Sequence, residues 1–365
     1  MTATLRFMLD QLVAPTDPDL ETASRELATA LIDRAPSGCE VAGIAPAGSP
    51  AVEIAGLAEV RRSPLARREL AGALQLGVAS GIGGGMIHSP TLFAPLVKHD
   101  RVHDHDQTVV TIWDLGPWEA PGEYPKASVA WQKAMLKRAV KHADAVVVPT
   151  HAMAVRLAEI AKLGERIRVI AGAAPEGFAV PRDDVGRRRE LDLPEGFVLL
   201  SGHHGESLGA GLAAVARSGV DLPVVVIGAA EGEEPTIADQ ASAAGIPERS
   251  LHVRGALSGA DRAAVFAGAV AFVVADQRFG LPWRVLEALA LGVPVVAASS
   301  PVNDEVIVDG GAVVDADPEA LGAALADALG TTAAATRLGV LAADRGRAFS
   351  WLGAADRVWQ LHAEL

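Results

Sequence analysis

Cysteine, tyrosine and basic charge are all scarce in this chain of 365 residues. Its one cysteine, Cys39, has no partner for an intrachain disulfide and cannot supply a thiolate metal cluster. Residues Met1 to Asp10 lack the basic-then-apolar layout of a signal peptide, so a reducing, cytoplasmic setting is expected. Lysine and arginine number 32 against 45 aspartates and glutamates, and the resulting net charge of −13 repels nucleic-acid backbones. No apolar run approaches the roughly 20 residues that a membrane-spanning helix needs. Since 50% of the residues are apolar, they must fill packed cores, and the length suits two domains of about 150 to 200 residues. Aromatic residues make up only 4%. Cores of Ala, Gly and Val favour close helix–strand approach, as in a layered α/β protein.

Short Val-rich runs alternate with helical stretches and predict strands at 5–9, 86–89, 108–113, 145–149, 166–170, 197–201, 222–228, 250–254, 270–275 and 293–298. Strands spaced by helices imply parallel sheets. The unbroken apolar character of 224–227 and 293–296 fits strands covered on both faces, hence doubly wound sheets. A composition shift over Ala173–Pro194 marks the domain boundary, and the Ala-rich tail from Thr331, with Trp351, Val358 and Leu361 near helical spacing, predicts a docking helix.

Three constellations invite functional readings. His99, Asp100 and the run His103-Asp104-His105-Asp106 have permissive metal spacing, but the segment reads as a polar loop before a strand. Ser80-Gly-Ile-Gly-Gly-Gly85 precedes a strand instead of following one into a helix, so it reads as an entry turn and not a phosphate loop. Lys133, Lys137, Arg138 and Lys141 form a basic stripe, which reads as a solvated face or as a contact for a membrane surface or partner protein.

The most informative stretch is Asp276-Gln-Arg-Phe-Gly-Leu-Pro-Trp-Arg-Val-Leu-Glu287, followed by Gly292-Val-Pro-Val-Val296. It predicts a strand ending at Asp276, a Phe-Gly-Leu-Pro turn, a helix with Pro282 in its first position, and Glu287 about a turn and a half later. Backbone N–H groups at a helix start favour a phosphate, and a carboxylate one to two turns in can accept hydrogen bonds from ribose hydroxyls. That is chemistry suited to a nucleoside diphosphate.

This stretch resembles the signature of the family-4 retaining glycosyltransferases of GT-B fold. Thr111–Trp118, His142–Thr150, Arg166–Gly172, Pro301–Val306, Ala312–Asp315 and Phe349–Trp351 resemble further segments of the same family, so the resemblance covers nearly the whole chain. It implies an α/β protein with two Rossmann-like, doubly wound parallel-sheet domains facing each other across a cleft. Residues 1–175 would form the acceptor-side domain, 176–345 the nucleotide-sugar domain, and 346–365 a helix packing back toward the first. The implied activity is hexosyl transfer, with retention and without metal or cofactor, from a UDP- or GDP-linked sugar to a glycan or small-molecule acceptor. In that reading Glu287 holds the ribose, and Arg278 or Arg284, with Phe279, Gly280 and Leu281, meets the diphosphate. Gly202, His203 and His204 stand where the family carries an Arg-Lys pair, Trp113, Asp114 and Gln277 take the catalytic positions, and Arg254 lies near the base.

The chain departs from the family at several of these points. Gln277 replaces the first signature glutamate and stands ten positions before Glu287, where eight are usual. The segment Ser201-Gly-His-His-Gly carries no Arg-Lys pair, and the acidic Ala14–Glu21 stretch replaces a Gly-rich loop. These departures support a second reading, a catalytically degenerate relative that binds a nucleotide sugar or serves as a partner subunit. A sugar epimerase on the same shell would need acid/base carboxylates that the sequence does not single out.

Overall fold

The computed structural model describes residues 3–78, 81–82, 84–100, 103, 105–202 and 205–365. Among them the first sheet comprises β1 (Ala3–Met8), β2 (Cys39–Ala47), β3 (Val60–Ala66), β4 (Met86–Ser89), β5 (Gln107–Thr111), β6 (Ala145–Val148) and β7 (Ile167–Val169), in the order β3-β2-β1-β4-β5-β6-β7. The second comprises β8 (Phe197–Ser201), β9 (Val224–Ile227), β10 (Leu251–Arg254), β11 (Ala269–Val274), β12 (Val295–Ala298) and β13 (Gly311–Val314), in the order β10-β9-β8-β11-β12-β13. Neighbours pair in parallel throughout, so both sheets are Rossmann-like, as the resemblance implies. Crossover helices shield both faces, which is why β9 and β12 are buried at every position.

Three strands, β2, β3 and β13, lie outside the predicted Val-rich runs, β13 being met only in the family-like segment Ala312–Asp315. In β3 only Ser63 is buried, while Arg61, Arg62 and Pro64 are exposed, the make-up of an edge strand that discourages further pairing. The interior of β2 is mostly Ala, Gly and Pro, too small to read as an apolar run.

The chain divides into two compact units: Met1–Pro175 with Phe279–Leu281 and Ser350–Leu365, and Glu176–Arg278 with Pro282–Phe349. The excursion at Phe279–Leu281 is held in the first unit by backbone bonds, Leu115 N–H to Phe279 O at 2.8 Å and Leu281 N–H to Trp113 O at 2.9 Å. The tail from Thr331 forms two helices, Thr332–Gly346 and Trp351–Glu364, where the sequence predicts one. The break falls at Ser350, whose hydroxyl caps the second helix by accepting from Gly353 N–H. That last helix packs on the Pro18–Asp33 helix, and its Trp359 Nε1 donates to Leu31 O at 3.0 Å.

Behind the last helix lies a buried relay. His362 Nδ1 is 2.9 Å from Gln107 Oε1, and its Nε2 is 3.3 Å from His88 Nδ1. Burial pushes His362 down to about 4; burial, then the neighbouring ring, holds His88 well below the usual histidine range. At the carboxyl end of β1, Asp10 is fully buried, with Oδ1 unpartnered among the described residues, and burial pushes its carboxyl up to about 7. The two effects have opposite signs. Neutral His362 contributes stability that is present above its unfolded value of 6.5 and lost as pH falls through about 4, some 3 kcal/mol in all. Protonated Asp10 contributes stability that is present below its unfolded 3.8 and lost as pH rises through about 7, about 4 kcal/mol. Thermal melts should therefore find Asp10→Asn more stable than the wild type at about pH 8 and matched to it near about pH 4; no difference at either pH contradicts this assignment.

Candidate functional site

Open α/β sheets bind ligands outside the carboxyl ends of their strands, at the point where the strand order reverses. In the second unit that point lies between β8 and β11. Strand β8 leads into Gly202, β11 leads into Asp276, Gln277 and Arg278, and the Trp283–Ala290 helix starts just beyond. A Cβ at Gly202 would sit 3.0 Å from Ala229 N, so glycine here serves the close approach of the neighbouring loop. His203 and His204 lie outside the described residues.

The strand exits are fixed from beneath. Asn303 is buried, and its amide donates to Asp276 O at 2.8 Å and Ala298 O at 2.9 Å, joining the ends of β11 and β12. Gln277 is exposed and donates to Ser299 O at 2.9 Å. Arg278 Nε is 3.2 Å from both carboxylate oxygens of Asp276.

The densest charge cluster lies at the next helix. Pro282 flanks it instead of occupying its first position: the helix begins at Trp283, and Pro282 O accepts its first bond, from Leu286 N–H at 3.1 Å. Glu287, one full turn in, is only 2% exposed. Arg262, from the Gly259–Gly268 helix, places Nη2 2.8 Å from Oε1 and Nε 3.1 and 3.2 Å from the two oxygens. Arg284, three residues before Glu287, places Nη1 2.6 Å from Oε2. A buried charge is tolerated only when paired, and here two cations surround one anion. Arg284 and Glu287 lie in the first two turns of a helix, whose N–H groups add their positive potential at its amino end.

Arg262 is the residue that sequence reasoning misses. Ser258 and Asp261 do mark a helix start, with Asp261 N–H donating to Ser258 Oγ at 3.1 Å. Nothing in one sequence tells that the next residue turns toward a carboxylate 25 positions on.

Other expected residues are placed elsewhere. Arg254 is spent on three backbone carbonyls, Leu191 at 2.6 Å, Val253 at 2.7 Å and Asp192 at 2.9 Å, and it ends an edge strand separated from β8 by β9. Trp113 is buried in the first unit, donating Nε1–H to Pro90 O at 2.8 Å and meeting Trp351 edge-on at 6.1 Å. Asp114 accepts from Gly116 N–H at 2.7 Å and from the Tyr124 hydroxyl at 2.6 Å. A Cβ at Gly280 would lie 3.1 Å from the same carboxylate. Phe279 lies under the Arg156 guanidinium at 6.0 Å, and Leu281 is buried. Trp113, Asp114, Phe279, Gly280 and Leu281 thus belong to the first unit, whereas Gly202, Gln277, Arg278, Arg284 and Glu287 belong to the second.

The basic stripe is also broken up, because Arg138 folds inward with Nε and Nη2 at 2.9 and 2.5 Å from Leu96 O, leaving Lys137 and Lys141 exposed. In the histidine-rich loop, His99 is partly buried with Nε2 2.8 Å from Asp144, a contact that raises its titration point, while exposed His103 pairs with Asp100. Asp104, Ser80 and Gly83 lie outside the described residues. No group of three or more His, Cys, Asp or Glu among the described residues is placed to hold a metal ion. No described helix is long and apolar enough to cross a membrane.

Residues 208–331 match the sequence model of the family described as "Glycosyl transferases group 1". No curated protein matches the chain in sequence. Among solved structures, sucrose-phosphate synthase from Thermosynechococcus elongatus superposes with a TM-score of 0.72 at 18% identity, over 99% of this chain and 98% of that one. Anabaena Alr3699/HepE in complex with UDP and glucose gives 0.70 at 15% identity over 100% of both chains. A glycosyltransferase from Rickettsia africae ESF-5 gives 0.67 at 14%, over 100% of this chain and 98% of that one. At these identities the likeness establishes a shared fold.

Removing the carboxylate from the cluster exposes its energetics. Glu287→Gln leaves two partly buried guanidiniums against a neutral, buried amide and should lower urea-unfolding stability by about 3 kcal/mol. Arg278→Gln breaks a more exposed pair and should cost under about 1 kcal/mol. Equal losses would contradict the clamp.

Proposed function

We propose that the chain is a glycosyltransferase that binds a UDP- or GDP-linked sugar on its second unit and transfers the sugar, with retention and without metal, to a glycan or small-molecule acceptor bound by residues 1–175. The observation that carries this reading is the Arg262–Glu287–Arg284 cluster at the start of the Trp283–Ala290 helix, beside the reversal point of the second sheet. It lies inside the segment that matches the glycosyltransferase group 1 model. A protein of the same fold is seen with UDP and glucose.

Transfer from a nucleotide sugar builds negative charge on the departing diphosphate, and fixed cations with helix N–H groups offset it. Losing one such donor costs about 2.7–4 kcal/mol of transition-state stabilisation, or roughly 10²–10³ in rate. Arg284 is the cation best situated to replace the absent Arg-Lys pair, because it already sits in the first turn of the helix. Arg278, held by Asp276 at the end of β11, is the second.

A second reading, a nucleotide-sugar-binding or partner subunit without turnover, is favoured by one observation: Gln277 stands in place of the signature glutamate, and its amide is tied to Ser299 O. Calorimetric titration of the full chain with UDP, GDP and their glucose conjugates separates the cases. Micromolar binding is expected, weakened roughly tenfold or more in Arg284→Gln. Binding accompanied by slow release of glucose from the bound donor, followed by NMR, supports a transferase, whereas binding without any release supports the subunit. The absence of binding to either nucleotide contradicts the transferase and the nucleotide-sugar-binding subunit alike and leaves only a partner subunit.

A further inference from the structure

The charges of this chain are unevenly shared. Segments 60–78 and 126–142 hold nine of its 32 lysines and arginines but only one of its 45 acids, Glu69. Both segments belong to the first unit, and their helices lie side by side. Trp131 Nε1, from the Lys126–His142 helix, donates to Ala71 O of the Arg67–Leu76 helix at 3.2 Å. Gly77 then ends the shorter helix with φ at 71° and lies directly against the Arg138 guanidinium, where a Cβ has no room.

Some of these cations are spent within the unit. Arg62 donates to Ser49 O at 2.6 Å, Arg138 turns in to Leu96 O, and Arg67 covers the Phe93 ring. Arg61, Arg68, Lys126, Lys137 and Lys141 are exposed, and none of the five has an acidic partner among the described residues. Lys133, Lys137 and Lys141 recur every four residues, so they share one side of their helix.

Two apolar side chains adjoin the cations. Leu76 and Val78 flank Gly77, beside Arg138, and are 75% and 51% exposed; Leu76 is the most exposed large apolar side chain among the described residues. A single exposed apolar residue is ordinary, but a pair at a helix end next to lysines has the make-up of an interfacial anchor. Apolar tips enter the boundary between headgroups and acyl chains while lysines reach out to lipid phosphates.

We infer that this face docks the first unit on an anionic lipid bilayer, its lysines and arginines on the headgroup phosphates and Leu76 and Val78 entering the interface. The docking does not depend on nucleotide binding. The net charge of −13 does not prevent it, because charges more than about 8 Å from the bilayer are largely screened at physiological ionic strength. That charge instead sets the orientation, since acidic faces are repelled. A nucleic acid would match the cations but gain nothing from the two apolar tips, whereas a bilayer uses both.

Flotation of the full-length protein with lipid vesicles tests this. One set holds one phosphatidylglycerol for every two phosphatidylcholines, and the other holds phosphatidylcholine alone. The wild type should float with the anionic set only, and lose it as salt is raised. Each basic residue near an anionic surface strengthens binding about fivefold, so Lys137→Gln with Lys141→Gln should weaken it roughly 25-fold. Leu76→Gln with Val78→Gln keeps every cation and should weaken it roughly tenfold. Lys162→Gln with Arg249→Gln removes two exposed cations elsewhere and should change nothing. All six side chains are exposed, so the variants keep the fold. The inference is overturned by no binding to anionic vesicles, by equal binding to the neutral set, by an equal loss in the Lys162 and Arg249 pair, or by full binding of the Leu76 and Val78 pair. Retention on heparin without vesicle binding would assign the face to another polyanion and overturn it as well.

Discussion

A buried carboxylate held between two arginines is the constraint on which the second unit's chemistry depends. Glu287 is almost wholly out of water, where an unpaired charge would be costly. Arg262 removes that cost by a two-pronged contact from another helix, and Arg284 adds a second cation from the same helix as the carboxylate. The chain as a whole carries −13, so an anionic ligand is repelled by most of the surface. Two arginines gathered at one helix start are a local exception to that charge.

The topology explains why this cluster sits where it does. In a doubly wound parallel sheet every strand ends, and every following helix begins, at the same edge, and the edge opens at the reversal point. Strands β8 and β11 flank that opening in the second unit, and the Asn303 amide fastens the exits of β11 and β12. The departures from the family signature become intelligible in this light. The cations that the resemblance leads one to seek after β8 are absent, but two arginines gather around the glutamate that is retained.

How much of this the sequence discloses depends on the kind of interaction. Parallel sheets are legible because strands buried on both faces must be apolar throughout, as in Val224–Ile227. Strand β3 is not, because an edge strand with Arg61 and Arg62 outward carries no such pattern. The helix start after Asp276 and the position of Glu287 follow from local spacing, with only Pro282 displaced by one residue. Long-range partners do not. Arg262 reaching Glu287, Arg254 closing on the carbonyls of Leu191 and Asp192, and Arg138 turning in to Leu96 are all decided by tertiary packing. Long cationic side chains look alike in sequence whether they face solvent, a carbonyl or a ligand. Trp113 is a similar case: its ring fills the first unit's core against Trp351, a contact across more than half of the chain.

The most direct measurement of the central claim is a crystal structure of the chain grown with UDP or GDP. The account predicts diphosphate density at the amino end of the Trp283–Ala290 helix, with Arg284 turned onto a phosphate oxygen and Arg262 still seated on Glu287. A nucleotide bound elsewhere, or a helix start left empty at saturating nucleotide with both arginines still on Glu287, would contradict it.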